Sequence, residues 1–428
     1  MQPKQTVPAV LARDMARAGP WGGINMAETK QEKKGAAEQL WPEAARQKLQ
    51  AAQRIVVKVG SSSLTHDTGK LNFSGIELLV RQLADLKNSG KEIFLVSSGA
   101  VAAGMGKLNL AEKPKEMAKK QALAAVGQGI LMQYYEKIFG EYGVGVSQVL
   151  LTKEDFSHRD RYLNARNTFR ALLDYGVIPI INENDTVTFD EIKVGDNDTL
   201  AALVAGMVEA DLLVLLSDID GLYTDNPRTN PAAEKLVCVD GISPAVEAMA
   251  GEPGSGLGTG GMATKLQAAK IVVHCGIMML LTNTAIPKVL LRAMAGETVG
   301  TVFLPRAKHL TAKKGWLAFG AASQGRLWVD AGAARALVEG GGSLLASGVL
   351  RAEGSFRPGD VVSIWAGEDP GTEIARGFVN YSAEEVNLIK GCHSKDFAKI
   401  LQTQAPATEV IHRDELSLRV SYGQPLEK

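Results

Sequence analysis

The chain of 428 residues has only three cysteines, Cys238, Cys275 and Cys392, widely spaced and without a CxxC pair. That excludes a disulfide-stapled scaffold or a thiolate zinc site and suits a reducing compartment, so a cytoplasmic location is expected. No apolar run reaches the ~18–20 residues that cross a bilayer, so no membrane partner is expected. Lysine plus arginine and aspartate plus glutamate both total 47, so net charge offers no pull toward nucleic acid or anionic lipid. Nucleophile and phosphate signatures are missing as well. GxSxG, HExxH and the Walker A pattern GxxxxGK[ST] are absent, "GAVAAGMGK" is only a near miss to the last, and the six histidines are scattered.

What is present is an alternation. From Arg54 onward, short apolar runs ("RIVVKVG", "KEIFLVSSGA", "VGVSQVLLT", "GVIPII", "DLLVLLSD", "GIMMLLTN") are separated by stretches of helical period. "SGIELLVRQLADLKNSG" reads as an amphipathic helix with Ser74 as its N-cap, and further helices are expected near 115–140, 158–175, after Asp198 and after Gly261. Buried strands alternating with helices predict an α/β fold, an open and mostly parallel sheet covered by helices on both faces. After residue 322 the style changes to Gly-rich turns and short strands, a small β-rich module. The expected organisation is an N-terminal extension (1–52), an α/β domain (53–322), the β-rich module (323–403) and a C-terminal tail (404–428). The extension has no apolar period beyond a short helix near 41–53 and is expected to be disordered.

In such sheets ligands bind beyond the carboxyl ends of the strands, so the residues just after each strand carry the information. The first strand ends in "VVKVGSSSL", with Lys58 inside an apolar run and Gly60 leading to serines. A lysine there either snorkels from a sheet edge or serves an anion. The second strand ends in "VSSGAVAAG", a Ser–Gly turn opening a helix, with Ser98 suited to capping or to an anionic ligand. The fourth opens the stretch "INENDTVTFDEIKVGDND", which gathers six carboxylates and three asparagines around one lysine. Asn182 and Asp185 leave the strand, while Asp196, Asn197 and Asp198 begin the next helix. One of these three acids and amides is expected to be an N-cap, and the segment between the clusters has the alternation of a small hairpin. EF-hand spacing is absent, and paired glycosidase acids fit poorly where amides are interleaved.

The fifth strand ends in "LLSDIDGLYTDNPR", with Ser217 and Asp218 at its tip. A glycine loop then runs "GSGLGTGGMATKLQAAK" into a helix carrying Lys265 in its first turn. Its GxGxxG match does not follow the first strand and is no dinucleotide fingerprint. Two lysines, a carboxylate between them and glycine loops suit phosphoryl transfer to an acceptor that is already an anion. That reaction needs alignment and charge neutralisation rather than a base.

Together "KVGSSSLT", "VSSGAVAAG", "LNARNT", "INENDTV", "VGDNDTLAA", "SDIDGLYTDNPR" and "GSGLGTGGMATK" resemble the amino acid kinase family, and within it the glutamate 5-kinases. The β-rich module is similar to a PUA domain. The resemblance implies that ATP, with Mg²⁺ on its phosphates, phosphorylates the side-chain carboxylate of L-glutamate, the first step toward proline. Carried onto this chain, it implies that Lys58 and Lys265 stabilise the phosphoryl group in flight while Asp198 orients them. Ser98, Asn182, Asp185, Asp196 and Asn197 would hold glutamate. Lys58, Gly60, Ser217, Asp218, Thr259, Gly260, Gly261, Met262, Ala263, Thr264 and Lys265 would hold the nucleotide, with no metal ligand assigned to a protein side chain. Interleaved amides and acids suit a substrate with one ammonium and two carboxylates. Proline as an inhibitor, a homo-oligomer, and glutamate-5-semialdehyde dehydrogenase as a partner consuming the labile acyl phosphate are further implications.

The rivals are a kinase of this fold for aspartate, N-acetylglutamate or a nucleoside monophosphate, and an RNA-binding protein acting through the PUA-like module. Residues 325–401 carry 8 Lys/Arg against 10 Asp/Glu, which lacks the basic footprint that RNA binding calls for.

Overall fold

The computed structural model describes residues 40–66, 70–188, 196–227, 229–249, 261–305, 310–367, 371–403 and 405–419. All of them fall in one of the chain's two compact units, Leu40–Lys428. No helix among the described residues is long and apolar enough to cross a membrane.

The first ten strands are β1 (Arg54–Val59), β2 (Glu92–Ser97), β3 (Val146–Leu151), β4 (Ile178–Glu183), β5 (Leu212–Ser217), β6 (Leu222–Tyr223), β7 (Lys235–Leu236), β8 (Cys238–Asp240), β9 (Met278–Asn283) and β10 (Thr301–Leu304). Eight of them form one sheet in the order β3-β4-β2-β1-β5-β9-β10-β8, while β6 and β7 pair separately. All neighbours in the large sheet run parallel except β9 and β10. The chain fills the sheet on one side of β1 first and returns through β5 on the other. The carboxyl ends of β4, β2, β1 and β5 therefore lie in a row where the winding direction reverses, the usual ligand crevice of such sheets.

Successive strand residues point to opposite faces, and the two faces carry separate cores. Ile55, Val57 and Val59 of β1 join one core with Leu83, Tyr135 and Phe139. Val56 joins the other with Phe94, Phe169, Leu200 and Leu213. By the same alternation Lys58 lies on the face of Val56, covered by the helix Asn197–Met207. Asn182 of β4 lies on the opposite face with Ile178 and Ile180, under the long helix Met117–Glu141.

That long helix packs on the helix Ala100–Lys107 at backbone contact. A Cβ on Gly127 would sit 1.7 Å from the Ala100 carbonyl oxygen, and one on Gly104 would sit 2.1 Å from that of Leu123. Between β2 and the shorter helix the chain turns through Gly99 at φ +99°, a left-handed conformation that favours glycine.

The β-rich module builds a five-stranded sheet, β12-β11-β13-β14-β15, from β11 (Gly325–Val329), β12 (Val349–Gly354), β13 (Val361–Ala366), β14 (Thr372–Phe378) and β15 (Leu416–Leu418). It has its own core around Leu327, Ile364 and Tyr381. It is also joined to the α/β domain. Trp316, on the π-helical turn Trp316–Gly320, stacks on Phe378 at 5.6 Å and packs on Tyr162 at 5.2 Å. The Arg376 guanidinium donates to the Ala321 carbonyl at 2.6 Å.

Two expectations change. Asn72, not Ser74, caps the helix Phe73–Asn88, accepting from the Gly75 N–H at 3.0 Å. Residues 405–419 are not a loose tail: Val410 and Ile411 are fully buried and β15 pairs with β14. A run as short as "LSL" gains its place from the neighbouring edge strand rather than from its own pattern. The short helix expected near 41–53 is present as Glu43–Ala51, packed down by Trp41, which is 1% exposed and donates to the Gly300 carbonyl at 3.0 Å. An indole pays for burial when its N–H finds such a partner. Residues 1–39 lie outside the described residues.

Candidate functional site

A cleft of about 540 Å³ opens beyond the carboxyl ends of β1, β2, β4 and β5. Lys58, Gly60, Ser98, Asn182, Asp185, Asp196, Asn197, Asp198, Ser217, Asp218 and Lys265 all line it. These residues span more than two hundred positions of sequence, and the row of strand ends brings them together.

At the back of the cleft Asp198 is 1% exposed, in the first turn of the helix Asn197–Met207. One carboxylate oxygen lies 2.5 Å from Lys58 Nζ and the other 3.1 Å from Lys265 Nζ. The Thr264 hydroxyl donates to the second oxygen at 3.1 Å. Burial alone pushes the Asp198 carboxyl upward. The two ammonium groups and their hydrogen bonds together outweigh burial and hold it below the usual carboxylate range. One carboxylate thus keeps two buried ammonium groups close to each other at the back of the cleft.

Beside the charged trio runs a chain of amides. Asn197 Nδ2 donates to Ser98 Oγ at 2.8 Å and to Asn182 Oδ1 at 3.0 Å. Asn182 Nδ2 in turn donates to Gln128 Oε1 at 3.0 Å, and the Glu183 N–H donates to Asn182 Oδ1 at 2.9 Å. With both protons of Asn197 Nδ2 engaged inward, its carbonyl oxygen is the acceptor it can offer a ligand. Ser98 accepts from Asn197 and still has its own proton to give.

Asp196 lines the cleft yet spends both oxygens on the helix. Oδ1 accepts from the N–H groups of Asp198 (2.7 Å) and Thr199 (2.9 Å), and Oδ2 from the Thr199 hydroxyl (3.0 Å). It is the N-cap of the trio 196–198. Burial raises its carboxyl above the ordinary value, the Thr199 N–H lowers it and the neighbouring Asp198 charge raises it further. At the other end of the cleft Ser217 Oγ donates to Asp218 at 3.0 Å, and Asn283 Nδ2 holds the Asp218 carbonyl at 2.9 Å.

Gly261, Met262 and Ala263 lead into the helix Met262–His274, which brings Lys265 to Asp198. Thr259, Gly260 and residues 189–195 of the hairpin expected over 186–195 lie outside the described residues. Sequence reading missed Gln128, Gln121, Lys113 and Lys120. The last three line the cleft, and Gln121 Nε2 donates to the Thr188 carbonyl at 3.0 Å. The signal for the glutamines was their seven-residue spacing along one helix, which looks like any solvent-facing row of polar side chains until the opposing strand ends are known.

The Amino acid kinase family model matches residues 53–283, and the PUA domain model matches residues 325–401. The chain is 55% identical to the Glutamate 5-kinase of Caldanaerobacter subterraneus subsp. tengcongensis over 363 residues, 85% of this chain and 97% of that protein. It is 54% identical to the Glutamate 5-kinase of Carboxydothermus hydrogenoformans over 374 residues, 87% of this chain and 99% of that protein. With the Glutamate 5-kinase of Moorella thermoacetica the identity is 52% over 369 residues, 86% and 97% of the two chains.

Proposed function

The chain belongs to the amino acid kinase family, and on that premise we propose that it transfers the γ-phosphoryl group of ATP to the side-chain carboxylate of L-glutamate. The product is L-glutamyl 5-phosphate, and the step opens the route to proline. The observation that carries this reading is the buried carboxylate of Asp198 held between Lys58 and Lys265 at the junction of two differently equipped halves of one cleft.

One half offers amides, Ser98 and Asp185, which match an amino acid with both an ammonium and carboxylates. The other offers Ser217, Asp218 and the start of the helix Met262–His274; in this reading Thr259, Gly260, Gly261, Met262, Ala263, Thr264 and Lys265 would hold the nucleotide. Two lysines between the halves suit a phosphoryl group passing from one anion to another, where the catalytic need is neutralisation and alignment. Mg²⁺ bound on the nucleotide phosphates would add charge neutralisation there. No base is needed, because the attacking carboxylate is already ionised near neutral pH.

The same reading includes proline inhibition by competition at the amide half of the cleft, assembly into a homo-oligomer, a cytoplasmic location, and hand-over of the labile acyl phosphate to glutamate-5-semialdehyde dehydrogenase. The domain limits 53–322 and 323–403 belong to it too, with the module's sheet extended by β15.

The test is ATP-dependent hydroxamate formation with L-glutamate, L-aspartate and N-acetyl-L-glutamate in parallel. Turnover confined to L-glutamate is expected. Equal turnover of N-acetyl-L-glutamate would remove the ammonium-binding role of Asp185 and with it the substrate assignment.

A further inference from the structure

The long helix Met117–Glu141 presents Gln121, Gln128 and Tyr135 at seven-residue intervals, which places them on one face about 10.5 Å apart. Each of the three holds a different strand-end segment. Gln121 donates to the Thr188 carbonyl at 3.0 Å, Gln128 accepts from Asn182 at 3.0 Å, and the Tyr135 hydroxyl meets Ser97 Oγ at 2.8 Å. Ser97 and Asn182 immediately flank or belong to the amide chain of the cleft. Gln128 itself does not line the cleft.

We infer that Gln128 is a positioning residue for the amino-acid substrate, anchoring, together with the Glu183 N–H, the chain Gln128–Asn182–Asn197–Ser98. The inference rests on the glutamate kinase reading and deepens it. A side-chain amide has a donor end and an acceptor end, and a chain of amides can be oriented in two senses. The Oε1 of Gln128 accepts from Asn182 Nδ2 while the Glu183 N–H donates to Asn182 Oδ1, and the two contacts together hold that oxygen toward Asn197. Asn197 then gives both amide protons inward, one to Asn182 Oδ1 and one to Ser98 Oγ. The cleft therefore receives a carbonyl acceptor from Asn197 and a hydroxyl donor from Ser98. That is the pair an ammonium and a carboxylate on adjacent positions of one ligand require.

Rigidity supports the assignment. Gly127, the residue before Gln128, touches the Ala100 carbonyl so closely that a Cβ there would lie 1.7 Å from it. The acceptor of Gln128 is thus fixed relative to the turn that carries Ser98. Asn182 is only 4% exposed, so an Asn182 amide deprived of Gln128 has no easy recourse to solvent. Turning away from Asn197 would also deprive the Glu183 N–H of its acceptor, so the loss of Gln128 leaves Asn182 loosened and one buried N–H without its partner.

The experiment is steady-state kinetics of the full chain with both substrates varied. Gln128→Met keeps volume and helix propensity but removes the acceptor, and Gln128→Glu keeps an acceptor at the same reach. KM for L-glutamate is expected to rise about tenfold in Gln128→Met, the scale of one buried hydrogen bond, with kcat and KM for ATP within twofold. Gln128→Glu should stay within threefold of the parent, and it decides the matter alone if Gln128→Met does not fold. In an Asn182→Ala background the Gln128→Met change should have no further effect on KM. A Gln128→Met variant with unchanged KM for glutamate, one with both KM values raised alike, or a Gln128→Glu variant as impaired as Gln128→Met each overturns the inference alone. A parent protein that turns over ATP with other acceptors but not with glutamate overturns the proposed function and this inference together.

Discussion

Asparagine in place of Asp198 keeps the shape of the side chain and removes the charge between two lysines. The carboxylate is 1% exposed, 2.5 Å from Lys58 Nζ and 3.1 Å from Lys265 Nζ. At an effective dielectric of about 20 each contact has a gross attraction of roughly 5–7 kcal/mol, most of it offset by desolvating three ions. Breaking a buried pair of this kind costs about 3–5 kcal/mol, because the charges left behind remain buried. If about 3 kcal/mol of that is lost in the transition state, kcat falls by about a hundredfold or more.

The effect on nucleotide binding should go the other way. Without their internal counter-ion the two ammonium groups hold phosphate oxygens harder, so KM for ATP is expected to stay level or fall. The assay is glutamyl hydroxamate formation over a matrix of ATP and glutamate concentrations. An Asp198→Asn variant that keeps more than a tenth of kcat while its KM for ATP rises would refute the role given to this carboxylate.

Stability gives a second readout with a defined sign. The Asp198 carboxyl is held below its ordinary value, so its contribution is complete above the unfolded-state value of about 3.9 and is lost as pH falls through the folded one. The difference in unfolding free energy between parent and Asp198→Asn should be constant between about pH 6 and 8 and should close below about pH 4.

Two other substitutions separate structure from chemistry. Gly127→Ala forces a methyl to within 1.7 Å of the Ala100 oxygen, so a loss of about 3 kcal/mol is expected, seen as a drop of several degrees in thermal midpoint. Because the clash displaces the helix that carries Gln128, KM for glutamate should rise in the same variant, and an unchanged midpoint would show that the two helices are not in backbone contact. Asp196→Ser replaces one good N-cap with another, so stability should change by less than about 1 kcal/mol and KM for glutamate by less than threefold. A tenfold rise in KM with unchanged stability would show that Asp196 contacts the substrate in addition to capping the helix.

Much of the α/β domain follows from local pattern. A six-residue run such as "RIVVKV" between turn signals, repeated with helices in between, specifies buried parallel strands through hydrophobic burial and β-branched preference alone. The same logic marks strand ends as ligand sites, and on that ground Lys58, Ser98, Asn182, Asn197, Asp198, Ser217 and Lys265 stand out in the sequence. Helix caps are read less securely from sequence, since Asn72 and Ser74 are both good capping residues and only the backbone path chooses between them.

What tertiary structure decided is which residues meet. Strand alternation puts Lys58 on the face of Val56, but only the packing of the helix Asn197–Met207 on that face makes Asp198 its partner. The long helix could have turned any face to the sheet. Backbone contact at Gly104 and Gly127 set its rotation and so brought Gln128 to Asn182. The joint between the domains is likewise invisible locally, because Trp316 and Phe378 lie more than sixty residues apart and share one core only in the folded chain. Periodicity and propensity act over a few residues and are written in the chain. Pairing across sheets and helices depends on shape and close packing, which exist only in the folded molecule.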